Sequence, residues 1–481
     1  MRGLTSTGAD LSPAPVWARD AVIYHIFPDR FAKGTNLREP AVRARWAVRP
    51  TRHGFMGGTL QGIIDRLDYL VDLGVNVIYL TPIFLSSSNH RYNTFDYYTI
   101  DPRLGKLEDF QTLIAKAHAS EIRVLLDGVF NHCGRGFYPF YDVLENGPRS
   151  VYRKWFHIDR FPIRPFCRGP ANYRGWQGRP VMPILNLQNP ETRRYFIDVA
   201  NYWMGQGIDG WRVDAVGEVR GHAFWKELCR AVRKKNPEAY LLAEVWGDAA
   251  PWVGNGQFDG ATNYLLREIV LDFFIARAID VRAFSARLRK LVHHHPWDHT
   301  IVMANPLGSH DTERIATVAR GDWERLKLAL LFQFVYPGIP IIYYGDEVGL
   351  TGGRDPDNRR AMEWDPEKWN HDLMEFTKRM VAVRKTCMPL RQGDWQEILI
   401  DTRQNLCVFL RQTVKHHTVL LFNNQDQPAS VTINLGTKVL GQSAVAYVDP
   451  FSNRPYPCRR GCLSLTVPGG SGLLLVPLQD N

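Results

Sequence analysis

The stretch GIDGWRVDAV, residues 207–216, places an arginine and an aspartate at the end of an otherwise apolar strand pattern. Arg212 and Asp214 are two residues apart, so in a strand their side chains leave the same face. A guanidinium beside a carboxylate keeps that carboxylate ionised and holds its orientation. Taken alone, the pair is equally consistent with a structural ion pair in a core. An ionised, oriented aspartate is also a group that attacks an electrophilic carbon.

Other polar side chains follow apolar strand patterns elsewhere in the chain. They are Asp127, Asn131 and His132 in DGVFNH, Glu244 in AEVW, and His310 and Asp311 in GSHD. In a parallel barrel the carboxyl ends of the strands converge on one mouth, where these groups are predicted to meet Arg212 and Asp214. A single strand-end carboxylate is more often a cap for a neighbouring helix. Polar groups at four strand ends of one chain favour a shared site over separate caps.

Carboxylates gathered at such a mouth predict a particular chemistry. Because they repel one another, one is kept protonated while another stays ionised. Two carboxyl groups about 5–5.5 Å apart suit double displacement at an anomeric carbon, through a covalent glycosyl intermediate. In this interpretation Asp214 attacks the sugar carbon, and Glu244 donates a proton to the leaving oxygen. The pattern therefore predicts retaining glycoside hydrolysis.

Short β-branched or aromatic runs alternate with helical patterns over most of the chain and would position these groups. The predicted strands are 21–27, 75–80, 122–127, 207–213, 240–245, 258–263, 301–307 and 340–344. Helical patterns between them include 59–74, 107–121 and 191–207. Eight strand-then-helix units predict a parallel (β/α)8 TIM barrel in preference to a doubly wound sheet.

Two regions interrupt this alternation. Residues 133–186 are rich in Gly, Pro, Arg and aromatic residues without a clear helical period, which predicts an excursion domain after the third strand. Near the carboxyl terminus, short strands separated by turns predict an all-β sandwich domain over 389–481. The barrel is then expected to comprise residues 1–132 and 187–388.

Composition is that of an ordinary globular protein of 481 residues, with 45% hydrophobic and 22% charged residues. The net charge of +10 comes from dispersed basic residues, so no nucleic-acid partner is expected. No apolar run reaches roughly 18 residues, so no membrane span is expected. The first 17 residues lack an apolar leader pattern, and the seven cysteines are scattered, which predicts a cytoplasmic protein with reduced thiols. Cys458 and Cys462 lack the second ligand pair that a zinc site needs.

The segments DGVFNH, GWRVDAV, AEVW and GSHD, in this order, resemble the α-amylase family of retaining α-glucan hydrolases (glycoside hydrolase family 13). The resemblance begins at VIYHIFPDRF (22–31) and implies a (β/α)8 barrel, a domain after strand three and a carboxyl-terminal β sandwich. It implies that Asp214 is the nucleophile, Glu244 the general acid/base and Asp311 the transition-state stabiliser. The substrate-binding residues that it implies are His90, Tyr92, His132, Arg212, His310, Asp355 and Arg359.

Within the family, MPILN (182–186) and GSHDT (308–312) most resemble the cyclomaltodextrinase, neopullulanase and maltogenic amylase group. That group usually carries an extra amino-terminal β domain, whereas about 20 residues precede the first predicted strand here. Its acceptor-side stretch commonly reads V-A-N-E, but this chain has AVGE (215–218), so the acceptor preference stays open.

The expected function is hydrolysis of α-1,4-glucosidic bonds in maltooligosaccharides, cyclodextrins, starch or pullulan, with transfer to a sugar acceptor as a side reaction. An α-glucosidase or a glucanotransferase of the same family is the alternative. A non-catalytic glucan-binding protein is the alternative of another class. The α-glucan substrate is the expected partner, and a monomer is favoured.

The group's calcium loop usually reads D-R-F-x-N-G-D and is paired with G-G-D, whereas this chain has DRFAKGTN (29–36) and GGTL (57–60). Calcium takes about six to eight oxygen ligands, several of them anionic. Lys33 and Thr59 stand where the pattern has an amide oxygen and a carboxylate, and a lysine ammonium cannot ligate calcium. We therefore expect no metal and no cofactor, with Lys33 replacing the calcium charge and pairing with Asp29.

Overall fold

The computed structural model describes most of the chain. The described residues are 14–34, 46, 48–166, 170–219, 221–436, 439 and 445–478. Residues 1–13, to which the expectation of no leader largely refers, lie outside the described residues, as do Cys167 and residues 35–36 of the segment that corresponds to the related group's calcium loop.

Two compact units make up the chain. The first contains Ile23–Thr262 and Asp355–Met362, together with Met1–Pro15, of which only residues 14 and 15 are described. The second contains Val16–Val22, Asn263–Arg354 and Glu363–Asn481. The predicted domain boundaries at residues 132, 186 and 388 stay a prediction.

Parallel strands form the frame of the first unit. Its strands are β1 (Ile23–Ile26), β2 (Val77–Leu80), β3 (Phe84–Ser86), β4 (Thr94–Ile100), β5 (Arg123–Gly128), β6 (Gly210–Val213), β7 (Tyr240–Ala243) and β8 (Gly260–Ala261). Six of them pair in parallel in the order β1-β2-β5-β6-β7-β8, and β3 pairs with β4 as an antiparallel hairpin. Every residue of β1, β2, β6 and β7 is buried, which is typical of parallel strands covered on both faces.

The helices of the first unit are α1 (Pro28–Phe31), α2 (Leu60–Ile64), α3 (Leu67–Leu73), α4 (Leu107–Ala119), α5 (Tyr138–Asn146), α6 (Pro190–Gly205) and α7 (Ala223–Lys235). α6 begins where the Asn189 side chain accepts two backbone N–H groups, with proline in its first turn. α3 ends at Gly74, whose φ of 86° is a left-handed value that glycine adopts without strain. The single helix predicted over 59–74 is wrong, because a tight turn at residues 65–66 separates α2 from α3.

Residues 133–186 leave the parallel frame after β5, and backbone hydrogen bonds join the two ends of this segment. The amide of Cys133 donates to the carbonyl of Pro183, and the amide of Leu185 donates to the carbonyl of Asn131. The segment contains helix α5, although its sequence shows no clear helical period. Pro139, Phe140 and Val143 are buried along one face of that helix, which explains why tertiary packing stabilises it.

The second unit contains two further parallel strands and an antiparallel sheet. Its strands are β9 (Ala304–Pro306), β10 (Ile339–Tyr343), β11 (Asp394–Asp401), β12 (Leu406–Gln412), β13 (His417–Asn423), β14 (Ala429–Asn434), β15 (Ala446–Asp449), β16 (Arg454–Arg459), β17 (Cys462–Val467) and β18 (Ser471–Pro477). β9 pairs with β10 in parallel, and the other eight form a sheet in the order β11-β12-β13-β18-β15-β16-β17-β14. Each of the eight predicted strands overlaps one of the eight parallel strands, β1, β2 and β5–β10.

The helices of the second unit are α8 (Tyr264–Val270), α9 (Val281–Val292), α10 (Trp297–Thr300), α11 (Ile315–Val318), α12 (Trp323–Val335), α13 (His371–Thr386) and α14 (Met388–Gln392). A π-helical turn, Leu271–Ile275, continues α8. The antiparallel sheet encloses a core of buried aliphatic side chains that includes Leu406, Val408 and Leu421. Across the described residues of both units, none of the helices combines the length and the apolar character that crossing a membrane requires.

Candidate active site

One buried arginine contacts three carboxylates in the first unit. Nη1 of Arg212 donates to both carboxylate oxygens of Asp127 at 2.7 Å and to Oδ1 of Asp214 at 3.0 Å. Nη2 of the same side chain lies 2.6 Å from Oε1 of Glu244. We call Arg212, Asp127, Asp214 and Glu244 the Arg212 cluster. Because the arginine side chain is only 3% exposed, these ion pairs form away from bulk water.

The register of the parallel strands brings the cluster together. Asp127 in β5 lies opposite Arg212 in β6. Beyond the strand ends the ladder continues, since the amide of Asp214 donates to the carbonyl of Gly128 and the amide of Glu244 donates to that of Val213. Four side chains from three successive strand ends therefore meet at one edge of the sheet.

Two tyrosines complete the surroundings of Asp127. The hydroxyls of Tyr79 in β2 and Tyr92 donate to Oδ2 of Asp127 at 2.6 and 2.8 Å. Burial raises the pKa of both phenols well above their usual range, so they remain protonated donors. The side chain of Asp127 is fully buried. This carboxylate therefore anchors Arg212.

Asp214 and Glu244 are the members of the cluster whose carboxylates still reach the surface. Their side chains are 9% and 6% exposed. Oε2 of Glu244 accepts the backbone N–H of Ala215 at 2.9 Å. Ala215 has φ 49° and ψ 37°, a left-handed conformation that costs an alanine roughly 1–2 kcal/mol. This turn of the backbone directs the amide that follows Asp214 towards Glu244.

Two predicted histidines lie on loops beside Tyr92. His132 is 1% exposed, its ring stacks on Trp176 with centroids 5.3 Å apart, and burial lowers its pKa to about 3. Nδ1 of His90 accepts the backbone N–H of Tyr92 at 3.1 Å, which assigns the proton of the neutral ring to Nε2. Both imidazoles are therefore neutral, and each can donate a hydrogen bond to an uncharged ligand.

Asp355 and Arg359 form an ion pair in the first unit, with Nη1 of Arg359 3.2 Å from Oδ1 of Asp355. The guanidinium of Arg359 lies over the ring of Phe27, 5.6 Å from its centroid. Phe27 directly follows β1. This contact places the predicted donor-side pair against the carboxyl end of a parallel strand.

His310 and Asp311 follow β9 in the second unit. Nε2 of His310 lies 3.0 Å from Oδ2 of Asp311, and the two side chains are 3% and 29% exposed. Arg314, three residues after Asp311, is buried, and its Nη1 donates to Oδ1 of Asp346 at 2.9 Å. Burial raises the pKa of Asp346 to about 7. A buried contact between Arg314 and Asp346 thus lies close in sequence to the predicted pair.

The family profile "Alpha amylase, catalytic domain" matches residues 25–388. The chain belongs to the α-amylase family. It is 44% identical over 431 residues to a cyclomaltodextrinase of Geobacillus thermopakistaniensis strain MAS1, which covers 89% of this chain and 73% of that protein. It is 40% identical over 470 residues to neopullulanase 2 of Thermoactinomyces vulgaris, covering 97% and 79%.

A solved structure is similar over nearly the whole chain. The cyclic α-maltosyl-(1→6)-maltose hydrolase of Arthrobacter globiformis, in complex with cyclic α-maltosyl-(1→6)-maltose, superposes with a TM-score of 0.88 at 37% identity. The match covers 96% of this chain and 100% of that one. The predicted fold class of this α-amylase-family glycoside hydrolase, a (β/α)8 barrel with a carboxyl-terminal β domain, is therefore confirmed.

In this α-amylase-family chain the structure brings Arg212, Asp214 and Glu244 together, with the Tyr92 hydroxyl 3.5 Å from Nη1 of Arg212. Their catalytic and binding roles stay predictions, as do those of the other predicted site residues. Sequence reasoning missed Tyr79, which donates to Asp127. Its one signal was a phenol within the otherwise aliphatic strand VIYL.

Direct contacts with neighbouring residues hold Asp29, the first residue of the segment that corresponds to the related group's calcium loop. In the described residues the ion pair of Asp29 is formed with Arg30, at 3.1 Å, and its oxygens accept the amides of residues 56 and 57. The predicted pair between Lys33 and Asp29 is therefore wrong, because Nζ of Lys33 lies over the Trp46 ring instead. Arg30 is the adjacent residue and is buried beside Asp29, so it forms the ion pair that was predicted for Lys33.

Thr59 occupies the position of the pattern's carboxylate. Its hydroxyl accepts the backbone N–H groups of Gly34 and Gly62, each at 3.0 Å, so it joins the loop to the start of α2. A Cβ at Gly34 would lie 2.7 Å from that hydroxyl, which shows how closely the segments pack. An oxygen that accepts two amides between closely packed segments does not fit a calcium ligand.

Replacing Arg212 with Met would leave three buried carboxylates without their shared cation. We expect the free energy of unfolding at pH 7 to fall by about 3–5 kcal/mol, measured by urea unfolding followed by circular dichroism. Arg277→Met is the matched control, since it removes an exposed ion pair with Asp426 and should change stability little. Equal costs for the two variants would contradict the central position of Arg212.

The low pKa of His132, about 3 against an ordinary 6.5, predicts a pH effect. The unfolded chain binds this proton more readily, so the group's contribution to stability is present above pH 6.5 and is lost as the pH falls towards 3. In NMR spectra of protein labelled with ¹³C at histidine Cε1, the His132 chemical shift should stay constant between about pH 8 and 5. The His118 signal should instead titrate with a midpoint above the ordinary histidine pKa. The bond of His118 to Asp209 raises its pKa. A midpoint near pH 6.5 for His132 would refute the burial argument.

Proposed function

We propose that this α-amylase-family enzyme hydrolyses α-1,4-glucosidic bonds of α-glucans by double displacement, with retention of the anomeric configuration. The observation that carries the proposal is the contact of one buried guanidinium with both Asp214 and Glu244. Two carboxyl groups held by the same planar cation suit the short separation that a covalent glycosyl intermediate requires.

Asp214 serves as the nucleophile in this proposal. Arg212 donates to Oδ1 and stabilises its negative charge, so the carboxylate is ionised and oriented when the sugar arrives. A bond forms between a carboxylate oxygen and the anomeric carbon while the bond from that carbon to the glycosidic oxygen breaks. The leaving oxygen takes the proton of Glu244, which completes the first half of the reaction.

Glu244 then acts as the base. Once ionised, it removes a proton from the water that attacks the anomeric carbon, and the ester with Asp214 breaks. Its Oε1 is bound by Arg212 and its Oε2 by the amide of Ala215, which stabilise this ionised form. Two donors are therefore in place for the charge that Glu244 gains during the first step.

The Arg212 cluster keeps a constant charge through the first step. Before attack, one cation faces ionised Asp127, ionised Asp214 and protonated Glu244, which leaves one net negative charge. After attack, Asp214 is a neutral ester and Glu244 is ionised, so the net charge is unchanged. Arg212 contacts both oxygens between which this charge moves, so the step needs little reorganisation of the buried surroundings.

The names of the relatives support the substrate class. They act, by name, on cyclodextrins, pullulan and a cyclic maltosyl-maltose. For this chain we propose maltooligosaccharides, cyclodextrins, starch or pullulan, with His90, His132 and Tyr92 as neutral hydrogen-bonding partners of the sugar. Release of single glucose units from maltotriose would favour an α-glucosidase, and longer oligosaccharides formed from it would favour a glucanotransferase.

We also propose that the protein is cytoplasmic. The six described cysteines are free thiols, and four of them, Cys133, Cys229, Cys407 and Cys458, are buried, which suits a reducing compartment. The expected monomer and the expected absence of nucleic-acid and membrane partners stay predictions.

Asp214→Asn and Glu244→Gln should each lower kcat on γ-cyclodextrin and starch by at least about three orders of magnitude while the protein stays folded. The exposed Glu145→Gln is the control and should keep the wild-type rate. In ¹H NMR of the wild-type reaction, the α-anomer of the product should appear first. Near wild-type turnover in either site variant, or a β-anomer appearing first, would overturn the assignment.

We propose that the enzyme needs no calcium, because the Thr59 hydroxyl accepts two backbone amides where the related group's pattern has a carboxylate, and Lys33 stands where it has an amide oxygen. Dialysis against EDTA should therefore leave both the hydrolysis rate and the unfolding temperature unchanged. The double variant Lys33→Asn, Thr59→Asp restores two of the pattern's oxygen donors, and added calcium should raise its unfolding temperature above that of its EDTA-treated form. A chelator-induced loss in the wild-type enzyme that calcium reverses would refute the proposal.

A further inference from the structure

A second cavity opens on the surface of the first unit, lined by residues outside the Arg212 cluster. Its volume is about 460 Å³, within the range of small-ligand pockets. Aromatic side chains from separate segments line it: Phe95 in β4, Tyr138 in α5, Tyr152 and Trp155 in the excursion, and Tyr195 in α6.

The rings of this cavity contact one another in sequence. Tyr138 meets Tyr152 edge-on at 5.9 Å, Tyr152 meets Trp155 edge-on at 5.2 Å, and Trp155 lies 5.5 Å from Tyr195. Such edge-to-face contacts fix the rings without covering both faces of each. Tyr138 is 63% exposed, so an aromatic surface is offered to solvent at the cavity rim.

Local sequence explains why the wall forms. The Phe95 ring packs directly on the backbone around Gly134 and Gly136, where an added Cβ would lie 2.6–2.7 Å from ring atoms. Side chains at either position would push the ring away. Tyr138 stands at the start of α5, whose opposite, apolar face is buried. The aromatic residues of the wall are therefore positioned by packing that leaves the cavity open.

The chemistry of the lining selects a ligand class. Among the described residues that line the cavity, the one charged side chain is the carboxylate of Asp96, and no cation is present. Three phenol hydroxyls accompany the apolar rings. An anionic ligand would meet no positive charge, whereas a neutral ligand with apolar ring faces and many hydroxyl groups would match both kinds of surface.

We propose that this cavity is a second α-glucan-binding site, which holds a short stretch of a maltooligosaccharide or starch chain apart from the Arg212 cluster. The choice of an α-glucan rests on the proposed function. Sugar rings stack on the exposed tyrosine faces, and their hydroxyls bond to the phenols and to Asp96.

The cavity shares segments with the candidate active site. The hydroxyl of Tyr97 donates to the carbonyl of His132, and its ring meets Phe137 and Tyr195 of the cavity wall edge-on. β4, which carries Phe95, begins two residues after Tyr92. A polymer held here stays tethered to the unit that carries Asp214 and Glu244, which raises its effective concentration there. A trisaccharide gains nothing from such a tether.

The test compares Tyr138→Ala with Tyr141→Ala, an equally simple change on the same helix. Tyr141 is 51% exposed but does not line the cavity. In affinity electrophoresis through amylopectin gels, Tyr138→Ala should weaken binding at least about fivefold, whereas Tyr141→Ala should bind as the wild type does. Tyr138→Trp keeps a ring and should retain binding. Hydrolysis of maltotriose should be the same in all variants, while hydrolysis of starch should fall in Tyr138→Ala.

Wild-type amylopectin binding by Tyr138→Ala would overturn the proposal. So would weakened binding in both alanine variants, or a loss of maltotriose hydrolysis in Tyr138→Ala. A shift in sedimentation coefficient with unchanged amylopectin binding would assign the surface to a second copy of the chain and would also overturn it. Failure of the proposed function is distinguishable, because a wild-type enzyme that releases no sugar can still be scored for binding in the gel.

Discussion

The site depends on one buried guanidinium that contacts three carboxylates. Removing so many charges from water is costly, and only close pairing offsets the cost. Arg212 provides it through short contacts to Asp127, Asp214 and Glu244. Asp127 is fully buried and also accepts two phenols, so it fixes the cation. Asp214 and Glu244 stay slightly exposed. In the proposed reaction negative charge passes from one to the other, and both remain in contact with Arg212.

Parallel strand pairing turns this local constraint into a site. Neighbouring strands present Asp127 and Arg212 side by side. Backbone hydrogen bonds continue past the strand ends and hold Asp214 and Glu244 beside them. The segments outside the strands then add groups of another kind. The loop before β4 supplies His90 and Tyr92, and the loop after β5 supplies His132, all neutral hydrogen-bonding groups suited to hydroxyl-rich ligands. Charge thus comes from the strand ends and recognition from the loops.

The carboxylates could be found in the sequence because each follows a short apolar strand, and strand ends of a parallel sheet share one edge. Tyr79 could not be found in this way, because a tyrosine within the apolar strand VIYL is typical of a core residue. The helix of the excursion was also missed: α5 owes its stability to packing of Pro139 and Phe140, not to a periodic pattern. Charge alone pairs Lys33 with Asp29, but the structure shows that the adjacent Arg30 makes that pair.

The sequence by itself determined the fold class, the order of the eight parallel strands along the chain and the identity of the carboxylates beside Arg212. These three features follow from short-range patterns, because an apolar strand and the polar residue at its end are neighbours in the sequence. The tertiary structure alone decided that Arg212 contacts all three carboxylates, that burial keeps His132 neutral, and that Thr59 bonds to two amides where the group's pattern has a carboxylate. Those features arise from distances between residues far apart in the chain and from the exclusion of water, which no local pattern specifies.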